Sequence, residues 1–123
     1  RTPLLKPLKM PELPEEFLRG IKLFNEGRFF ECHEAWEAVW LKAGGVERDF
    51  LHAIIQAAAA LHHFQRGNLK GARSVGRRAI GKLAAMPAVV MRLDTGELRS
   101  SLESILAQTD APIPHIKLQG EDQ

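Results

Sequence analysis

Between Phe29 and Trp40 the chain reads Phe-Phe-Glu-Cys-His-Glu-Ala-Trp-Glu-Ala-Val-Trp, which packs three carboxylates, a histidine and two tryptophans into about three helical turns. In a helix His33 and Glu37 stand one turn apart on one face, and Glu34 and Glu37 are neighbours at a spacing of three. A histidine and a carboxylate at i and i+4 can both ligate one divalent ion, here zinc or manganese. A catalytic ion also needs a third protein ligand and a base acting on its water. The third ligand must come from another helix. His52, Gln56, Ala59 and His63 follow at i, i+4, i+7 and i+11, and of these His63 is the better ligand, while Gln56 suits a supporting hydrogen bond to a carboxylate. The expected metal set is therefore His33, Glu37 and His63, with Glu34 as catalytic base and Gln56 in support. With that set the chain reads as a metal-dependent hydrolase.

The same residues allow other chemistry. Glu34 and Glu37 stand beside a histidine, residue types that suffice for metal-free acid–base work. In a third reading the cluster is a buried hydrogen-bond and salt-bridge network, with a glutamate paired to Arg48, Arg73 or Arg77, inside a non-catalytic structural or interaction module. A ferritin-like di-iron centre is disfavoured, because it needs Glu-x-x-His on paired helices and none is present. Trp36, Trp40 and Cys32 read as core. Lys70, Arg73 and Arg77 at i, i+3 and i+7 read as a solvated or internally paired face, since no aromatic residue is interleaved to suggest nucleic acid.

Positioning these groups falls to helices. Pro14 opens helix A ahead of Glu15 and Glu16, with Phe17, Ile21 and Phe24 as its apolar stripe and Gly27 closing it. Helix B runs from about Arg28 to Lys42 with Phe29, Cys32, Trp36 and Val39 or Trp40 inward, and Gly44-Gly45 ends it. Helix C spans about Glu47 to Arg66, and its alanines from 57 to 60 invite a close neighbour. Gly67-Asn68 turns the chain into helix D, about Leu69 to Met86, whose Gly71, Gly76 and Gly81 call for compensation by close packing on helix C. Asp94-Thr95-Gly96-Glu97 reads as a capping box for helix E. The expectation is a single small all-α domain of about five helices in two packed hairpins over residues 14–108. Extended arms flank it at 1–13 and 109–123, the tail docking through Ile113, Ile116 and Leu118, and the arms are the expected route to a homodimer.

A chain of 123 residues suits one domain, and its 45% hydrophobic and 26% charged content excludes disordered and fibrous classes. No apolar run approaches the length of a membrane helix. A single cysteine rules out an internal disulfide, and the reducing cytoplasm is the expected setting. The chain opens on Arg1 and not Met, which leaves room for a removed segment, and what is present has no signal-peptide pattern. The net charge of +2 is too small to imply nucleic acid, but its distribution is uneven. Residues 12–49 hold nine acids against five bases, whereas residues 50–93 hold seven bases and no acid. Neutralisation between packed helices is the simpler explanation, and a basic surface for an anionic ligand the sharper one.

Taken together, Phe24-Asn25-x-Gly27-x-Phe29-Phe30-Glu31-x-His33-Glu34-x-Trp36-Glu37-x-x-Trp40, Ile54-Ile55-Gln56-x-Ala58-Ala59-Ala60-Leu61-x-His63 and Gly67-Asn68-x-x-Gly71-Ala72 resemble the bacterial and archaeal domain-of-unknown-function family numbered three hundred and nine. The resemblance covers about Phe17 to Leu83. It implies a small all-α domain carrying the family-level label of predicted metal-dependent hydrolase. Carried over by position, His33, Glu34, Glu37, Gln56 and His63 are the residues that act, and Trp40, Gly67 and Gly71 are architectural. His52 stands where the family more often has another polar residue.

Overall fold

Pro14, with φ −56°, leads into α1 (Glu15–Asn25), where Glu15 and Glu16 meet the positive helix end. The computed structural model describes residues 12–120, so the arm expected at 1–13 lies outside the described residues but for its last two. Four further helices follow: α2 (Phe29–Trp40), α3 (Gly45–Gln65), α4 (Leu69–Ala84) and α5 (Thr95–Ala107). Between α4 and α5 lies a two-stranded antiparallel hairpin, β1 (Val89–Val90) and β2 (Leu93–Asp94), registered Val89 to Asp94 and Val90 to Leu93. In chain order α1 packs on α2, α2 on α3, α3 on α4 and α4 on α5, so the α1–α2 and α3–α4 hairpins join across the α2–α3 contact.

Two corners use the same device. Gly27 and Gly67 take left-handed φ of +77° and +78°, and the next residue's amide reaches back to close the turn: Arg28 N donates to Leu23 O at 2.9 Å and Asn68 N to His63 O at 2.9 Å. Glycine is suited to this C-terminal cap because it has no Cβ to strain. Asn68 then caps α4, its Oδ1 accepting from Gly71 N at 2.9 Å. Asp94 does the same for α5, accepting from Glu97 N at 2.9 Å. The hairpin turn is different, because Met91 and Arg92 both carry positive φ, 49° and 64°, the geometry of a primed turn built without the usual Asn-Gly or Asp-Gly.

The core centres on Trp36, fully buried with Phe17, Phe24, Phe29 and Phe50. Phe17 stacks on the indole with centroids 6.4 Å apart, and Phe24 meets Phe29 edge-on at 5.0 Å. Trp36 Nε1 donates to Phe17 O at 3.1 Å. Gly20 makes room for this, since a methyl group there would collide with the indole ring. The thiol of Cys32 is buried in the same layer, and burial pushes its pKa up.

Some local expectations need correction. Gly45 starts α3 and does not end the preceding helix. Of the α4 glycines, Gly76 does approach Ala60 of α3, but its closest neighbour is Leu106 of α5; Gly71 lies over the Asn68 side chain, and Gly81 meets nothing. Ile116 and Leu118 of the tail are buried while Ile113 is half-exposed. The tail is held by a two-way clasp: Asn25 Nδ2 donates to Ile116 O and Ile116 N to Asn25 Oδ1, both at 2.8 Å. Charge neutralisation between the halves is not seen among the described residues. The ion pairs there are local, joining Arg19 to Glu16, Arg28 to Glu26 and Glu31, and Arg99 to Glu103. Glu31, in the first turn of α2, has its carboxyl held below the ordinary range by a backbone amide and then by Arg28. No helix among the described residues is long and apolar enough to cross a membrane.

Candidate functional site

The antiparallel register of α2 and α3 decides which side chains meet. Phe30 lies 5.6 Å from the His62 ring and Trp40 lies 6.0 Å from His52, centroid to centroid. Arg48 pins the corner, its guanidinium 4.0 Å over the Trp40 ring and Nη1 donating to Trp40 O and Ala43 O at 3.0 and 3.3 Å. This register sets Ala59 level with His33 and Gln56 one turn earlier. A cleft of about 180 Å³ results, lined by Phe29, Phe30, His33, Ala59, His62 and His63. A larger groove of about 420 Å³ at the far end of α2, lined in part by Pro14, Val39, Ala43 and Met91, carries no histidine.

His33 and His63 therefore do come together, across one cleft. Glu34 and Glu37 do not line it: both are exposed, and among the described residues neither forms an ion pair. Helical geometry explains this, because burying Phe29, Cys32 and Trp36 turns Glu34 to the opposite side of α2 and Glu37 well out toward solvent. Two of the three arginines of the network reading are engaged elsewhere, Arg48 on the α2 carbonyls and Arg73 with Nε donating to Leu106 O at 3.2 Å, and Arg77 is exposed with no ion pair among the described residues.

Hydrogen bonding fixes the state of His63. Asn68 Oδ1 already accepts from Gly71 N, so the amide group facing His63 is Nδ2, 3.2 Å from Nδ1. Nδ1 must accept, and the neutral ring carries its proton on Nε2 as a donor. His33 and Gln56 are in the opposite situation. His33 Nδ1 and Gln56 Oε1 are sealed from solvent and have no hydrogen-bond partner among the described residues. A three-ligand metal centre does not fit: among the described residues no three of His, Cys, Asp and Glu are grouped so as to hold an ion, and the Nδ1 of His63 is taken. Phe30 and His62 line the cleft, and Asn68 supports it through His63, although residue chemistry did not single them out. The signal for Asn68 was present in its place as the α4 cap next to His63.

Five helices around a buried tryptophan, with a histidine-lined cleft between the second and third, define a class of small helical domains. The chain belongs to the family described as domain of unknown function DUF309, matched over residues 17–75. It is 31% identical over 93 residues to an uncharacterised protein of Aquifex aeolicus (strain VF5), covering 74% of this chain and 28% of that protein. It is also 31% identical over 101 residues to the uncharacterised protein YpuF of Bacillus subtilis (strain 168), covering 79% and 58%. The matched region thus spans less than two thirds of either relative. Its fold is similar to the crystal structure of a conserved hypothetical protein from Thermus thermophilus, with TM-score 0.67 and 35% identity over 78% of this chain and 99% of that one.

Proposed function

We propose that the domain binds a small planar polar molecule in the cleft between α2 and α3. The observation behind this is His33, which lines the cleft and whose buried Nδ1 has no hydrogen-bond partner among the described residues; Gln56 Oε1, behind the lining and one turn before Ala59 on α3, is in the same state. Each unmet buried group costs about 1–3 kcal/mol, a penalty that a ligand carrying both a donor and an acceptor removes. Phe30 and His62 supply ring faces for stacking, and His63 offers its Nε2 proton to an acceptor. A volume of about 180 Å³ is below the range of about 300–1,000 Å³ for drug-sized ligands, which suits a single-ring amide or N-heteroaromatic. Hydrolysis with Glu34 as base has less support, because that carboxylate is exposed outside the cleft.

A thermal-shift panel of single-ring amides and N-heteroaromatics on wild type and Gln56→Met tests the reading. Removing an unmet polar atom without changing shape stabilises Gln56→Met by about 1 kcal/mol, and the variant loses the response that wild type shows to its best ligand. A less stable variant, together with a wild type that responds to no member of the panel, rules the proposal out. Stoichiometric stabilisation by zinc or manganese alone would return the cleft to the metal reading.

A further inference from the structure

The outward face of α2 carries a stripe that, apart from the edge of Phe30 meeting His62, is left open among the described residues. Phe30, Glu34, Glu37 and Leu41 recur at i, i+4, i+7 and i+11, so they share one side of the helix and its C-cap. All are exposed, Phe30 by 53% and Leu41 by 66%. Two large apolar side chains thus bracket two carboxylates that have no ion-pair partner among the described residues.

The outer face of α4 is its complement. Lys70, Arg73, Arg77 and Gly81 recur at i, i+3, i+7 and i+11 and are all exposed. Beside them a groove of about 280 Å³ between α4 and α5 has Ile80 and Leu106 in its lining, Arg73 and Arg77 along it and one acid, Glu103, which is paired with Arg99. Arg73 is exposed and donates from Nε to Leu106 O, and among the described residues it forms no ion pair. Gly81 adds an independent observation. A side-chain carbon there would touch nothing within 4 Å, yet glycine inside a helix costs about 1 kcal/mol against alanine, so the fold itself gives no reason for this flat spot.

We propose that the acidic α2 stripe of one copy docks on the basic α4 stripe of a second copy. The two stripes have the same span, about 16 Å. Laid side by side in either direction, they set Glu34 and Glu37 level with Arg73 and Arg77 and bring one apolar end, Phe30 or Leu41, over Gly81. A second copy is the occupant that the charge distribution favours, because each chain carries both halves of the contact and does not neutralise them among the described residues.

Charge exchange tests this on the full chain by sedimentation velocity. Wild type associates, and raising salt from about 0.05 to about 0.5 M weakens it at least about tenfold. Glu34→Arg with Glu37→Arg, or Arg73→Glu with Arg77→Glu, each abolishes association by placing like charges together, and an equimolar mixture of the two double variants recovers it. Every substituted residue is exposed, so circular dichroism should show the wild-type fold in both variants, with at most a small drop in melting temperature where Arg73→Glu gives up the bond to Leu106 O. A wild type that is monomeric at about 0.5 mM overturns the proposal. So does association that survives either reversal, a mixture that fails to recover, or an effect of the arginine reversal seen only on binding of heparin, which would give the basic stripe to a polyanion.

Discussion

Replacing Gly20 by alanine should destabilise the protein although alanine is the better helix former. The methyl group would enter the space occupied by the Trp36 indole, which is fully buried and donates from Nε1 to Phe17 O. Overpacking a tight core costs about 1–3 kcal/mol, and stranding the indole N–H costs about 1–3 kcal/mol more. The helix-propensity gain of about 1 kcal/mol offsets part of this and leaves a net loss of about 3 kcal/mol. For a domain of this size that lowers the melting temperature by about 10 °C. Urea unfolding followed by tryptophan fluorescence measures it. Gly81→Ala is the internal control at dilute, monomeric concentration: the same substitution in open space should stabilise by about 0.5–1 kcal/mol. If Gly20→Ala is as stable as wild type, the indole is not held in a fixed slot and the account of the core is wrong.

Arg48→Ala should lose about 1–2 kcal/mol in chemical denaturation, through the freed carbonyls at the end of α2 and the lost stacking on Trp40, whereas Arg48→Lys should recover little of it. Asn25→Ala removes both hydrogen bonds of the tail clasp, and limited proteolysis should then cut near Ile116 while the helices stay intact. Burial shields Cys32 and raises its thiol pKa, so a disulfide reagent at pH 8 should react no faster than the protein unfolds; fast labelling of native protein would contradict its place in the core.

The helices and their corners were legible because apolar periodicity, Gly27, Gly67 and the Asp94 cap are local signals with local causes. The β-hairpin was not, since Met91 and Arg92 adopt left-handed backbone under tertiary demand and nothing in their chemistry announces it. The convergence of His33 with the His63 face was legible from helical spacing. Glu34 and Glu37 lie outside the cleft for a reason that spacing alone hides: i and i+4 say which residues share a side, not where that side looks. Trp36, Cys32 and Phe29 settle it, because a face carrying them turns inward and leaves Glu34 on the solvent side. The His63 proton position depends on Asn68 and its cap to Gly71, and so follows from three-dimensional pairing, not from residue type.

The clasp between Asn25 and Ile116 spans 91 residues of chain, which gives it meaning during synthesis. By the time α4 has emerged from the ribosome, α1 to α4 can pack on one another through neighbours close in sequence. The last turn of α1 then waits, its amide hydrated, until residue 116 arrives. An unfinished chain therefore already has most of its core but still shows an open edge at Asn25.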